Sequence, residues 1–204
     1  MKIKRVFFTF IFSFCSFIFF SQDTLCVKKW NLIIDGYYGG ITLVNKLVKS
    51  KKSDSTFLDY KGSVFGPIGA RIELLISKNF SIGFDIQYNQ HTMSWKEINS
   101  NPPPDLIENK LIWYRVRYMA KFCKYVDITK QGTGYFSFSL GYLESRLKVI
   151  SGDKNEEGIF AVPPVAFRFA AGYRFPINKF FGAFLELGIF GGGLLHGGFY
   201  LKPY

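Results

Sequence analysis

Residues 79–89 read NFSIGFDIQYN. Phe80, Ile82, Phe84, Ile86 and Tyr88 alternate with Ser81, Gly83, Asp85, Gln87 and Asn89. A period of two puts an apolar and a polar row on opposite faces of a β-strand. Two architectures accept such a strand. A soluble sandwich or barrel buries the apolar row as core. A membrane barrel turns it toward lipid and lines its interior with the polar row.

The pattern recurs along the chain. Strands are expected over 31–43, 63–76, 79–95, 110–124, 134–149, 161–175, 179–190 and 194–202, with no helix after the first residues. In 110–124, Ile112, Tyr114, Val116, Tyr118, Ala120 and Phe122 alternate with Arg115, Arg117 and Lys121. After Tyr142 the apolar phase slips to Leu143, Leu147 and Val149, as at a bulge or where a strand leaves a bilayer. Eight strands is an even number. Segments 44–62, 96–109 (with Pro102, Pro103 and Pro104) and 150–160 read as long polar connections, and 77–78 and 176–178 as tight turns. Long connections at one end and short ones at the other fit an outer-membrane barrel. Residues 125–133 and the short Gly191–Gly193 connection depart from that scheme.

The first residues point to export. Lys2, Lys4 and Arg5 precede an apolar run from Val6 to Phe20, followed by Ser21, Gln22 and Asp23. This is the layout of a cleaved signal peptide over 1–21, and the run is shorter than the ~20 residues of a membrane-spanning helix. A single domain over 22–204 then remains. The net charge is +11, and losing three basic residues with the signal peptide lowers it to +8. Nucleic acid is excluded as the partner, because no recognition module is present and an exported chain does not meet it. Anionic lipid and lipopolysaccharide are the expected partners of that charge. Aromatic residues make up 19% of the chain, more than a soluble domain of this size readily hides and well suited to rings at a lipid boundary. Cys15 leaves with the signal peptide; Cys26 and Cys123 form either a disulfide or two free thiols.

The polar faces decide between the two architectures. They carry Asp35, Arg71, Glu73, Asp85, Arg115, Arg117, Arg168, Arg174 and Glu186, mixed with Gly, Ala and Ser. A water-facing strand has no need of so many small residues, whereas an eight-stranded barrel has room only for closely packed side chains. These charges are expected to pair inside a closed lumen. Phe80, Phe122, Phe136, Phe175 and Phe181 fall near the short-turn ends and Tyr88, Tyr114 and Tyr142 near the long-loop ends, as two girdles. The expected fold is therefore all-β: an eight-stranded antiparallel up-and-down transmembrane β-barrel after a cleaved signal peptide.

At this level the chain resembles the small eight-stranded outer-membrane barrels of the OmpA/OmpX type, in the porin-like form common in Bacteroidota. The resemblance spans about residues 28–204. It rests on the N-terminal segment ending FFSQ, on blocks such as ARIELLISKNFSIGFDIQYN and FRFAAGYRFPINKFFGAFLELGIF, and on the aromatic Tyr204. It implies insertion into the cell outer membrane by the barrel-assembly machinery. Lys202 and Pro203 depart from the usual apolar C-terminal strand.

Catalytic arrangements were weighed against this. His91, Ser94 and Glu97 are close in sequence, and lipid A deacylases of barrel architecture use a His/Ser/Glu trio. His91 and Ser94 differ in strand parity, which aims them apart, and a working pair needs hydrogen-bond reach. No ligand spacing for a metal is visible, and GIFGGGLLHGGF lacks the Lys-Ser/Thr of a phosphate loop. His196 reads as a lumen partner for a carboxylate. Arg115, Arg117, Arg168 and Arg174 either pair with Glu73, Asp85 and Glu186 or bind an anion. Lys46, Lys49, Lys51, Lys52 and Lys61 either belong to a solvated loop or touch lipopolysaccharide phosphates. The expectation is a non-enzymatic barrel, without cofactor, in a structural or surface-binding role with a possible protein partner at its loops. The alternatives are an accessory part of a secretion or assembly system, or a secreted ligand-binding barrel.

Overall fold

The computed structural model describes residues 31–40, 58–99, 105–126, 131–152, 154–159 and 163–203. In chain order the strands are β1 (Leu32–Gly40), β2 (Leu58–Ser77), β3 (Phe80–Asn99), β4 (Asp105–Val126), β5 (Thr133–Ser151), β6 (Lys154–Ile159), β7 (Val165–Pro176), β8 (Phe181–Ile189) and β9 (Leu195–Leu201). Eight of them form an antiparallel ring, β1–β2–β3–β4–β5–β7–β8–β9, which closes where β9 pairs with β1. Closure removes the open edges that a flat sheet exposes. The all-β, eight-stranded antiparallel barrel read from the sequence is the fold. The segment 1–21, Cys26, the lysines Lys46 to Lys52 and Tyr204 lie outside the described residues.

Three segments read as connections are partly strand. β2 begins at Leu58, within the stretch expected as loop. The β3–β4 ladder runs unbroken from Phe80↔Lys124 to Asn99↔Asp105, through most of the stretch expected as a connection; Pro102, Pro103 and Pro104 lie outside the described residues. Residues 154–159, also expected as loop, form β6 and pair with the outer part of β5. The physical reason is the same in each case. Beyond Tyr88 the outward positions of β3 are Gln90, Thr92 and Ser94, so the hydrophobic alternation ends while the backbone ladder continues. The phase slip after Tyr142 is not a bulge, because the β4–β5 register is regular from Asn109↔Ser151 to Val126↔Gly134. The strand has simply left the apolar belt. Register shifts fall instead in β2, between Leu58/Lys61, Phe65/Ile68 and Leu75/Ser77. Gly66, inside the second shift, has φ 85°, a backbone state that glycine enters without strain.

Polarity is inverted relative to a water-soluble core. Phe84 is 47% exposed and its neighbour Asp85 1%. Ile72, Phe122, Phe136, Phe169, Leu187 and Phe199 share the outer face, while Arg71, Glu73, Arg174 and Glu186 are buried inside. The outward apolar stretch of β3, from Phe80 to Tyr88, matches the 9–11 residues of a tilted strand that crosses a bilayer. Lys202 falls on the inward register shared by His196 and Tyr200, so the outward row of β9 keeps Phe199 and Leu201. Its N–H donates to Phe180 O at 2.7 Å, which fastens the end of β9 to the β7–β8 turn.

Candidate functional site

The lumen is filled by charge and aromatic rings. Four carboxylates face four cations, all nearly inaccessible to solvent. Arg71 donates two bonds to Glu186, each 2.8 Å, and a third from Nε to Asp85 Oδ2 at 3.1 Å. Arg168 Nη2 reaches Glu186 Oε1 at 2.9 Å from the neighbouring β7. Lower in the barrel, Arg174 Nη2 donates to Asp35 Oδ2 at 2.8 Å and to Glu73 Oε1 at 3.0 Å. Lys121 Nζ donates to Glu73 Oε1 at 2.7 Å and stands 3.8 Å from Glu186 Oε2, linking the two halves. Charges this deep are tolerated only when paired and hydrogen-bonded, and here each acid meets at least one cation.

Tyrosines complete the network. Tyr125, Tyr135 and Tyr37 donate hydroxyl bonds to Glu73 (2.7 Å), Glu186 (2.9 Å) and Asp85 (2.7 Å). Three lumen tyrosines lie over a glycine on the adjacent strand: Tyr37 over Gly69, Tyr135 over Gly172 and Tyr200 over Gly182, in each case register partners. A Cβ at these glycines would stand 2.3–2.5 Å from ring atoms. The small residues of the polar faces are therefore seats for rings, the cross-strand packing of an aromatic on a bare backbone.

Of the nine charges singled out from the sequence, seven enter this network: Asp35, Arg71, Glu73, Asp85, Arg168, Arg174 and Glu186. His196 sits beside it, with Nδ1 3.9 Å from Glu186 Oε1 and its ring stacked 4.9 Å from Tyr37. Lys121, Tyr125 and Tyr135 were missed as members. Lys121 was visible as an inward residue of its strand; its partner Glu73, 48 positions away, was not.

Arg115 and Arg117 stand apart. They face inward at the loop end, and among the described residues neither makes an ion pair. Arg117 Nη1 donates to Asn89 Oδ1 at 2.8 Å. Arg115 donates to His91 Nε2, and its guanidinium lies 4.2 Å from the Trp113 ring centre. Of Arg115, Arg117, Arg168 and Arg174, only Arg168 and Arg174 have an acid within ion-pair distance among the described residues. His91 is buried among these cations, and Ser94 occupies the outward register of the same regular strand. The two are kept on opposite faces. Cys123 is buried facing the lumen.

The fold and lumen define a small closed β-barrel with an interior of buried ion pairs. No protein-family model and no curated protein sequence matches the chain. Among solved structures it is similar to Ail, the attachment invasion locus protein of Yersinia pestis, crystallised with the heparin analogue sucrose octasulfate. That match has a TM-score of 0.40 and 12% identity, over 86% of this chain and 96% of that one. The assignment of the barrel rests on the strand pairing itself.

Proposed function

We propose that this chain is an outer-membrane β-barrel protein with a structural or surface-binding role, a filled lumen and exposed polar loops. The observation that carries the reading is the inversion of polarity: Phe84 faces out and Asp85 in, and the same holds around the ring. In water such an apolar belt is an unsatisfied surface; in a bilayer it is the matching one. A closed barrel also pairs its backbone polar groups internally, as hydrocarbon requires. A secreted ligand-binding barrel would reverse the two faces and keep an open cavity where these ion pairs are packed.

The basic residues Lys2, Lys4 and Arg5 before the apolar run from Val6 to Phe20 support export, and handling by the barrel-assembly machinery rests on the sequence resemblance. Lipid of the outer membrane is the partner of the belt, and lipopolysaccharide that of Lys46, Lys49, Lys51, Lys52 and Lys61 in the polar sequence segment 44–62. The non-enzymatic reading is supported by the separation of His91 from Ser94. Membership of the porin-like Bacteroidota barrels rests on the sequence resemblance.

The test is a gel of washed membranes from cells expressing the full chain, run boiled and unboiled. A mobility shift on boiling, in the outer-membrane fraction, is expected of a detergent-resistant barrel. Recovery in the soluble periplasm or medium without a shift rejects the proposal.

A further inference from the structure

Among the described residues the lower lumen is electrically balanced, but its outer mouth is not. Asp35, Glu73, Asp85 and Glu186 are matched by Arg71, Lys121, Arg168 and Arg174. Arg115 and Arg117 are two further cations with no carboxylate in ion-pair distance among the described residues. Arg117 is only 4% exposed, so water does not compensate it as at a surface. Burying a guanidinium without an anion is costly.

These two side chains line one cavity of about 160 Å³, whose other wall is the β8–β9 turn through Gly188, Phe190, Gly192, Gly193 and Leu194. The turn is built to come close. Gly192 has φ 89°, and a Cβ there would stand 2.8 Å from Arg117 Nη1. Polar atoms at this level lack partners: Arg115 Nε, and both Nε2 and Oε1 of Gln87, the register partner of Arg117. Gln87 is fully buried.

We infer that Arg115, Arg117 and the Gly188–Leu194 turn form a binding pocket for an oxyanion of phosphate or sulfate size. A guanidinium presents its donors in a planar fork suited to such oxygens. The cavity has the volume of about five waters, at roughly 30 Å³ each, enough for one such group and too small for a chain of sugars. The pocket lies inside the barrel and does not depend on the membrane reading. The anion is either free or carried on a lipid headgroup.

The full chain, folded in maltoside micelles that carry no phosphate, is titrated with inorganic phosphate at constant ionic strength. The readouts are tryptophan fluorescence, through Trp113 beside Arg115, and the urea midpoint of unfolding. Saturable binding that raises the midpoint is expected, weakened about tenfold or more in Arg117→Gln and in Arg115→Gln. Lys148→Gln, a surface cation paired with Glu157, should bind as the parent does. In phosphate-free buffer the two arginine variants should be at least as resistant to urea as the parent, because each removes an inward-facing charge that has no acid partner among the described residues; this separates lost binding from lost folding. No saturable response in the parent, or an undiminished response in both arginine variants, overturns the inference. Competition by phosphatidic acid in mixed micelles assigns the anion to a lipid headgroup, and its absence assigns it to a free ion; both presuppose the pocket.

Discussion

Arg71 on β2 and Glu186 on β8 meet as a two-point pair across the lumen, Nη1 to Oε2 and Nη2 to Oε1, both at 2.8 Å. The partners are 115 positions apart in sequence. Glu186 also serves Arg168 and Lys121, so its removal takes an acid from three cations and leaves Arg168 with none among the described residues, while Arg71 keeps Asp85 and Lys121 keeps Glu73. Glu186→Gln should cost about 3–5 kcal/mol, the range for breaking one side of a buried pair. Urea unfolding in lipid vesicles measures it. Arg71→Met combined with Glu186→Gln should lose clearly less than the two single changes summed; strict additivity would show the pair to be uncoupled.

The outer face makes a positional prediction. Ile86→Arg lies in the apolar belt and should destabilise the barrel in vesicles by about 2–4 kcal/mol. Ser94→Arg has the same outward register of β3 but lies beyond the belt, and should stay within about 0.5 kcal/mol of the parent. Equal costs at the two sites would mean that the belt is misplaced.

The seats under the tyrosine rings are equally specific. At Gly182 a Cβ meets both the Tyr200 ring and Phe175 O, the latter at 2.4 Å. Backbone cannot swing away as a side chain can, so Gly182→Ala should cost about 1–3 kcal/mol by overpacking. Gly36, with nothing near its Cβ position, is the control: Gly36→Ala should be close to neutral. Thermal or urea midpoints distinguish them.

His91 sits beyond the apolar belt, and burial, then the charges of Arg115 and Arg117, hold its imidazole down at about 4 from the usual 6.5. Asn89 Nδ2 at 2.8 Å and the Arg115 guanidinium, both donors, share the single lone pair of Nε2, which leaves the proton of the neutral ring on Nδ1. The unfolded chain binds a proton near 6.5 that the folded chain refuses until about 4. The stability tied to neutral His91 is therefore full above 6.5 and falls as pH drops toward 4. Ring chemical shifts of His91 should stay flat from about pH 5 to 7.5, well above the folded midpoint. A midpoint above 6 would contradict the burial of this ring.

Strand faces were legible in the sequence because a period of two marks them residue by residue. Phe80 to Tyr88 and Val165 to Phe175 could be assigned to one face directly, and the lumen charges followed from the opposite row. Pairing across the barrel was not legible: nothing near Arg71 names Glu186 over Asp35. β6 was invisible for a different reason. KNEEGI has no apolar alternation and is a strand only through its ladder to β5. The split among the arginines was equally hidden, since Arg115 and Arg117 alternate as regularly as Arg168 and Arg174, and only the arrangement of carboxylates separates them.

The rings seated on glycines bear on how this sequence can change over time. A tyrosine and the bare backbone beneath it are one unit spread over two strands, Tyr135 with Gly172 and Tyr200 with Gly182. Neither half can drift alone without a collision or a hole. Among descendants of this chain, enlargement at a glycine of such a pair should arrive together with truncation of its ring, so paired exchange at these positions would trace the inner wall even where overall sequence similarity has faded.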